Sequence, residues 1–278
     1  MQGRLSPPRF GRLQSFPGKQ WREEFYRAKN AGLDCIEWVY ESDTLHENPL
    51  RTHDGIREIK KVTRESGVEV WSICADYFMT NPLITGDGSP DPASTGHLDW
   101  LLDQAIDLDI RYIVLPFVDA SSLQHGQRIK GAVSLIRSVV KKLEDNRIEL
   151  HYETDLRPVT LHSLFEEIDH PLVRANYDIG NSASLGYDPK EELSFIGEYL
   201  GSVHVKDRTL HGGSVPLGSG NADFVTCFTL FCDLHYSGPY ILQAAREDGM
   251  NEQESAGKNR LFVEGLIKKI SGNERLDR

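Results

Sequence analysis

Four polar residues stand at the ends of four successive apolar segments in the second half of the chain. They are Glu153, Asp178, His204 and Gln243, separated by 25, 26 and 39 residues. Two carboxylates, one imidazole and one amide oxygen form a ligand set that suits Mn²⁺, Mg²⁺ or Co²⁺ and also admits Zn²⁺. A charged side chain at the end of an apolar strand is costly to bury unless it is paired or bound to a metal. The four residues together therefore predict a site for one divalent metal ion.

The alternative interpretation is a set of separate structural ion pairs, which is the commoner role of each of these residues taken singly. Further polar residues follow the apolar segments, and we predict that they contact a substrate. This second set comprises Arg4, Glu37, Asp76, Lys206, Asp207, Arg208 and Arg246. Lys206 and Arg208 would either bind a substrate phosphate or pair with Asp207, which lies between them.

Short apolar, β-branched segments alternate along the chain with longer amphipathic ones. The apolar segments are apolar on nearly both faces, as in the strands of a buried parallel sheet. They cover residues 1–5, 33–39, 68–74, 110–117, 147–153, 173–179, 202–206 and 239–243. The amphipathic segments predict helices. These helices would cover residues 21–30, 53–66, 126–145, 160–168, 189–200, 223–235 and 252–270.

Eight strands that alternate with helices predict an α/β fold, the (β/α)8 TIM barrel. We expect a single barrel domain over residues 1–270 and a polar, frayed tail over residues 271–278. The competing architecture is an open doubly wound sheet, which usually carries a GxGxxG turn after its first strand, and that motif is absent here. Because the chemistry of TIM barrels sits at the carboxyl ends of the strands, the polar residues above would meet on one face.

Charge and cysteine content limit the classes of partner. The 278 residues include 31 basic and 42 acidic side chains, which gives a net charge of −11 and a pI of about 5.4. This balance argues against nucleic acid as a partner. No apolar run approaches the length of a membrane span, and the first residues do not form a signal peptide. The four cysteines form no CxxC pair, which favours reduced thiols and a cytoplasmic location.

Several motifs carry a resemblance to a known family. They are YDIGNSAS at residues 177–184, SVHVKDR at 202–208, VPLGSGNADF at 215–224 and GPYILQ at 238–243. At these residues the chain resembles the xylose isomerase-like TIM barrel superfamily of sugar phosphate isomerases and epimerases. It is most similar to the branch of L-ribulose-5-phosphate (L-xylulose-5-phosphate) 3-epimerases. In that family strands 5 to 8 supply Glu, Asp, His and Glu to one divalent metal. The resemblance implies Glu153, Asp178 and His204 as ligands and Glu153 as the catalytic base.

The chain departs from the family at Gln243, where the resemblance implies a second glutamate. In the epimerase branch the two glutamates act on opposite faces of the substrate, but a glutamine cannot exchange a proton at neutral pH. Gln243 therefore favours a one-base aldose–ketose isomerase over an epimerase.

The predicted function is a metal-dependent sugar or sugar-phosphate isomerase or epimerase. It would abstract a proton beside a carbonyl and pass through a metal-stabilised enediolate. Two alternatives stay open. One is a lyase of the same superfamily, a keto-cyclitol or dehydroshikimate-type dehydratase, and the other is a non-catalytic sugar-binding barrel. The expected partner is a small sugar or sugar phosphate, and a homo-oligomer is compatible with the sequence.

Overall fold

Seven parallel strands form one sheet that curves into a nearly closed barrel. The computed structural model describes residues 1–273 except residues 13, 126 and 248. The barrel strands, hydrogen-bonded in this order, are β1 (Cys35–Val39), β2 (Glu69–Cys74), β3 (Tyr112–Phe117), β4 (Glu149–Thr154), β5 (Val173–Asp178), β6 (Leu200–Val205) and β9 (Tyr240–Leu242). Two short strands, β7 (Asp207–Arg208) and β8 (Ser214–Val215), pair antiparallel in a separate sheet. The predicted α/β barrel in a single domain is confirmed.

The first residues of the chain fill the gap between β9 and β1. Gln2 forms a parallel bridge with Glu37, and its backbone N–H donates to the carbonyl of Leu242 over 3.2 Å. The strand predicted over residues 1–5 is therefore reduced to one bridge. It ends early because Gly3 has φ +54, which breaks the extended backbone, and a Cβ there would lie 2.8 Å from Val39 Cγ2.

A ring of helices surrounds the strands. The α-helices are α1 (Trp21–Asn30), α2 (His53–Ser66), α3 (Tyr77–Thr80), α4 (Pro92–Asp107), α5 (Arg128–Asn146), α6 (Pro158–Ile168), α7 (Ile179–Leu185), α8 (Pro189–Ile196), α9 (Phe224–Asp233) and α10 (Glu252–Asn273). Short 3₁₀ helices cover Gly18–Gln20, Ser42–Thr44, Pro49–Arg51, Asp119–Ser121 and Gly197–Tyr199. The seven predicted helices are present, and α3, α4 and α7 were not predicted. Helix α10 returns to pack on α1, which closes the outer ring.

The two faces of the sheet differ in chemistry. The outward face is apolar, as where Trp38 of β1 packs on the aromatic rings of Trp21 and Phe25 in α1. Residues two apart along a strand share a face, so one phase of each strand points into the barrel. That inward phase is unusually polar, and its buried members include Glu37, Ser72, His151, Asn176, Ser202 and His204. Polar side chains therefore line the barrel interior as far as the carboxyl ends of the strands.

Three further sequence predictions concern the chain as a whole. No helix in the described part of the chain is both long and apolar enough to span a membrane. All four cysteines carry free thiols, with Cys74 and Cys227 buried and Cys35 and Cys232 half-buried. Within the predicted tail, residues 271–273 still belong to α10, and residues 274–278 lie outside the described residues.

Candidate metal centre and active site

Three of the four predicted metal ligands meet at the carboxyl ends of neighbouring strands. Glu153 of β4, Asp178 of β5 and His204 of β6 each present a ligand atom, and these atoms all lie within 4.8 Å of one another. All three side chains are buried. Neighbouring parallel strands end on the same face of the barrel. Glu153 and Asp178, 25 positions apart, and Asp178 and His204, 26 positions apart, therefore lie close together.

The imidazole of His204 is held between carboxylates. Its Nε2 lies 2.8 Å from Oε1 of Glu37, and its Nδ1 lies 3.4 Å from Oε2 of Glu153. Burial acts to lower the pKa of His204, but the charges and hydrogen bonds of these two carboxylates outweigh it and raise the pKa to about 10. The site thus carries an excess of negative charge that a cation can neutralise.

Glu37 supports His204 from below instead of lining the cavity. It has no exposed surface, and Ser72 Oγ donates to its Oε2 over 2.8 Å. The sequence predicted that Glu37 contacts a substrate. The structure instead places its carboxylate in the barrel interior against His204, outside the lining of the cavity. A carboxylate on the far nitrogen of a metal-binding histidine fixes the orientation of that ring.

Two asparagines hold the carboxylate of Glu153 in position. Asn181 Nδ2 donates to Oε1 over 2.8 Å, and Asn176 Nδ2 donates to Oε2 over 3.1 Å. Burial alone would raise the pKa of Glu153. The hydrogen bond and charge of His204, together with the charge of Lys206, outweigh it, and the pKa lies below its ordinary value.

Asp178 and Gln243 share Lys206 as a neighbour. Asp178 Oδ1 caps α7 by accepting from the N–H of Asn181 over 2.8 Å, and Asp178 Oδ2 lies 3.3 Å from Lys206 Nζ. Gln243 directs Nε2 at His204 Nδ1 over 2.9 Å and Oε1 at Lys206 Nζ over 3.5 Å. Gln243 would therefore serve as a metal ligand only after a half-turn of its amide brings Oε1 to the His204 side.

These donors fit a divalent cation. Two buried carboxylates and an imidazole nitrogen surround one point, and Gln243 can add a neutral oxygen. The mixture of oxygen and nitrogen atoms is the donor set of Mn²⁺, Mg²⁺, Co²⁺ or Zn²⁺ sites.

A cavity of about 610 Å³ opens above this cluster. Its walls come from the segments that follow the strands, including the loop between Gln2 and α1. The residues that line it include Arg12, Gln14, Asp76, Glu153, Asn181, Lys206, Arg208 and Gln243. A cavity of this size accommodates a small ligand such as a sugar.

Asp76 enters the cavity with support from Arg4. The buried Arg4 guanidinium donates to the carbonyl of Ala244 and to Gln14 Oε1, and Gln14 Nε2 donates to Asp76 Oδ2 over 2.8 Å. Arg4 therefore positions Gln14 and Asp76 and does not itself line the cavity. Burial, with a smaller contribution from the charge of Glu153, raises the pKa of Asp76 to about 6.

The remaining predicted substrate contacts divide into two groups. Lys206 and Arg208 line the cavity, and Arg208 donates to Asn181 Oδ1 and to the carbonyl of Gly212. Asp207 and Arg246 lie elsewhere. Asp207 is fully buried and accepts three backbone N–H groups of the loop 218–222. Arg246 pairs with Glu252 at the start of α10 over 3.2 Å. For these two residues the predicted substrate contact does not fit their placement.

Sequence reasoning missed three residues of the site. Asn176 and Asn181 both hold Glu153, and Gln14 holds Asp76. Asn176 precedes Asp178 by two positions, so both side chains lie on the same face of β5. The alternation of side chains along a strand could therefore have predicted that Asn176 lies near the site. Gln14 lies in a loop, where no periodicity indicates direction.

Known proteins share the fold of this chain and part of its sequence. The family model described as xylose isomerase-like TIM barrel matches residues 25–264. The L-ribulose-5-phosphate 3-epimerase UlaE of Salmonella paratyphi A is 27% identical over 272 residues, which cover 91% of this chain and 92% of that protein. A solved L-ribulose 3-epimerase matches with a TM-score of 0.72 at 16% identity and covers 93% of each chain. A xylose isomerase-like TIM barrel protein from Mycobacterium smegmatis in complex with magnesium matches with a TM-score of 0.69 at 17% identity, over 96% of this chain and 94% of that one.

The relatives are named as epimerases, which belong to the isomerase class, and this confirms the predicted enzyme class. The two structural matches show that the fold is shared. Because the family model covers most of the sequence, the chain belongs to the xylose isomerase-like TIM barrel family.

Proposed function

We propose that this protein is a divalent-metal-dependent epimerase or isomerase of sugar phosphates. One observation carries the proposal: Glu153, Asp178 and His204 converge within 4.8 Å beneath the cavity, with Glu153 held ionised. Glu153, Asp178, His204 and Gln243 would hold the cation. When bound, the cation would supply Lewis-acid polarisation of a substrate carbonyl.

Glu153 is the proposed base. Its carboxylate takes the proton from the carbon beside the substrate carbonyl, which leaves an enediolate. Asn176 and Asn181 hold the carboxylate in place during this transfer. If Glu153 returns the proton to the neighbouring carbon on the same face, the reaction is an aldose–ketose isomerisation.

Epimerisation requires a second proton carrier on the other face, and Gln243 cannot provide one. Asp76 lines the same cavity on a different wall, after β2, and its pKa of about 6 leaves a minor fraction of it protonated near neutral pH. We infer that Asp76 takes the role of the second acid. This inference and the names of the relatives favour epimerisation, whereas Gln243 alone favoured isomerisation.

A phosphorylated substrate is supported by the cations of the cavity wall. Arg208 donates to neutral oxygens, and among the described residues it contacts no carboxylate, so its charge is available to an anion. Two further cations line the cavity: Lys206, whose Nζ lies 3.3 Å from Asp178 Oδ2, and Arg12, which pairs with Asp43. The free thiols support the predicted cytoplasmic location. A homo-oligomer stays a prediction.

Deuterium uptake tests the proposal. We expect wild-type protein with Mn²⁺ to exchange solvent deuterium into a phosphorylated ketose. This exchange should stop when a chelator removes the Mn²⁺. Glu153→Gln should lower uptake by at least about 100-fold while Tm changes little, because the amide cannot act as a base. The control is Glu167→Gln, an exposed position on α6. Undiminished uptake in Glu153→Gln would reject Glu153 as the base. Loss of water from the substrate would identify a lyase, and binding without exchange would identify a sugar-binding barrel.

A further inference from the structure

A chain of hydrogen bonds runs through the barrel interior to the metal ligands. It begins at Glu149 at the start of β4, where Oε2 lies 2.7 Å from His151 Nε2. His151 Nδ1 lies 2.7 Å from Ser202 Oγ, and Ser202 Oγ donates to Asn176 Oδ1 over 2.7 Å. From Glu149 to Glu153 the strand rises about 13 Å, so the chain connects the amino-terminal end of the barrel with the active site.

The chain ends on two ligands at once. Asn176 Nδ2 lies 3.1 Å from Oε2 of Glu153 and 3.1 Å from Nδ1 of His204. One amide nitrogen therefore contacts both the proposed base and the imidazole. We propose that Ser202 and Asn176 are positioning residues that fix Glu153 and His204 for metal binding and proton transfer. The inference rests on the proposed function of these ligands.

The direction of each hydrogen bond is determined by the chemistry of its neighbours. If the Asn176 amide were reversed, its oxygen would face the carboxylate of Glu153, and two acceptors would repel each other. The nitrogen therefore points at Glu153, and Oδ1 must accept from Ser202. The single hydroxyl proton of Ser202 is thereby used, so Ser202 Oγ accepts from His151 Nδ1. Burial lowers the pKa of His151, and in the neutral ring Nε2 then carries no proton, so its contact with Glu149 becomes a hydrogen bond only when the imidazole is protonated.

The lower end of the chain has little freedom to move. The His151 ring stacks on Tyr112 with centroids 4.0 Å apart and an angle of 10° between the planes. Gly201 lies close to the Nε2 edge of the ring, where an added Cβ would come within 2.6 Å of His151 Nε2. His151, Ser202 and Asn176 are all buried. A fixed imidazole fixes the hydroxyl, and the hydroxyl fixes the amide.

Ser202→Ala removes the hydroxyl that donates to Asn176 Oδ1 and orients the amide. We expect Co²⁺ affinity to fall about 10- to 100-fold, the range typical of lost partners behind metal ligands, and the Co²⁺ absorption spectrum to change. kcat should fall while KM changes less than about twofold, because the substrate contacts are untouched. Ser202→Thr keeps the hydroxyl and should restore the spectrum. The control is Ser66→Ala, a buried serine with two hydrogen bonds at the end of α2, where these readouts should not move.

Asn176→Ala provides an independent variant in case Ser202→Ala does not fold. If both residues act through one chain, the double variant should lose no more Co²⁺ affinity than Asn176→Ala alone. Additive losses would show separate structural roles and would contradict the proposal. Folded single variants with wild-type affinity, spectrum and kcat would also overturn it.

Crystal structures of the metal-free wild type and variants separate this inference from the proposed function. We expect a rotated Asn176 amide in Ser202→Ala and displaced Glu153 and His204 side chains in Asn176→Ala. Unchanged positions would reject the positioning role whether or not the protein binds metal. Wild-type protein that binds no Co²⁺, with displaced side chains in the variants, would reject the metal proposal and leave the positioning role supported.

Discussion

In the proposed mechanism, two residues of the cavity, Gln243 and Asp76, determine whether the reaction is an isomerisation or an epimerisation. Gln243 places a neutral amide beside His204 and Lys206, so it can add a ligand oxygen but not a proton. Asp76 is the cavity carboxyl with a pKa raised to about 6, mainly by burial. In the proposed reaction, Gln243 would limit the cluster to a single strong base, and Asp76 would supply the missing acid.

Gln243→Glu should strengthen metal binding and change little in packing, because the two side chains are nearly isosteric. The added charge lies beside His204, near the ionised Glu153 and Asp178, where a divalent cation can balance it. We expect Mn²⁺ affinity to rise at least about tenfold, which corresponds to about 1.4 kcal/mol. Calorimetric titration measures this, with Gln104→Glu on α4 as the control. Unchanged affinity would mean that residue 243 does not face the metal.

Asp76→Asn separates proton abstraction from epimerisation. If Asp76 is the second acid, the variant should keep deuterium uptake through Glu153 but lose at least about 100-fold in epimerised product, as measured by NMR. Since Asp76 must be protonated to donate, the rate of epimerisation by the wild type should fall as pH rises through about 6. The residual epimerisation by Asp76→Asn should not show this pH dependence. If the variant epimerises at the wild-type rate, Asp76 is not the second acid, and a water molecule or another group must supply the proton.

At the scale of elements, the buried carboxylate of Asp207 organises the loop between β8 and α9. Asp207 accepts backbone N–H groups of Gly218, Gly220 and Ala222 over 2.8–3.1 Å. The loop 218–222 leads into α9, whose N-cap is Asp223. Asp207 thus joins the short hairpin of β7 and β8 to the start of a helix.

Asp207→Ala should therefore affect stability more than catalysis. Three partly buried backbone N–H groups would lose their acceptor, and we expect the free energy of unfolding to fall by about 1–3 kcal/mol. Urea unfolding measures this change, and Asp233→Ala at the exposed end of α9 is the control. A variant with normal stability and a strongly raised KM would instead support the predicted substrate contact.

At the scale of the whole molecule, an acidic protein also buries acids away from its active site. Glu192 of α8 accepts from Tyr177 OH over 2.7 Å and from Ser182 Oγ, which links α8 to β5 and α7. Burial raises the pKa of Glu192 to about 7, against the hydrogen bonds of Ser182 and Tyr177, which lower it. The folded protein thus binds this proton more tightly than the unfolded chain does.

Glu192→Gln should stabilise the protein in a pH-dependent way. Because the folded pKa is the higher one, wild-type stability falls as pH rises from about 4.5 to about 7 and then levels off. The variant should exceed wild type by roughly 2–3 kcal/mol at pH 8, and the difference should shrink towards pH 5. Thermal unfolding at both pH values measures this, with the exposed Glu191→Gln as the control. A difference independent of pH would show that Glu192 is not the titrating group.

The sequence by itself determined the barrel and the ligand trio. Short apolar strands alternating with amphipathic helices admit few folds, and in a barrel the carboxyl ends of the strands share one face. Glu153, Asp178 and His204 had to meet once their strands were placed. The alternation of side chains along the strands also distinguishes residues that face the site from residues that face away. Asp207 is one position out of phase with Lys206 and Arg208, which line the cavity, whereas Asn176 is in phase with Asp178.

Only the tertiary structure decided how deep each polar group lies and what it contacts. Glu37 shares the inward phase, yet its depth places it under His204, out of reach of the cavity. The first strand ends at Gly3 because its positive φ turns the chain, which periodicity does not reveal. Gln14 reaches Asp76 from a loop, where side-chain direction depends on the folded backbone. Alternation along a strand fixes which face a residue takes, but contacts across the barrel depend on register and depth, which exist only when all strands are assembled.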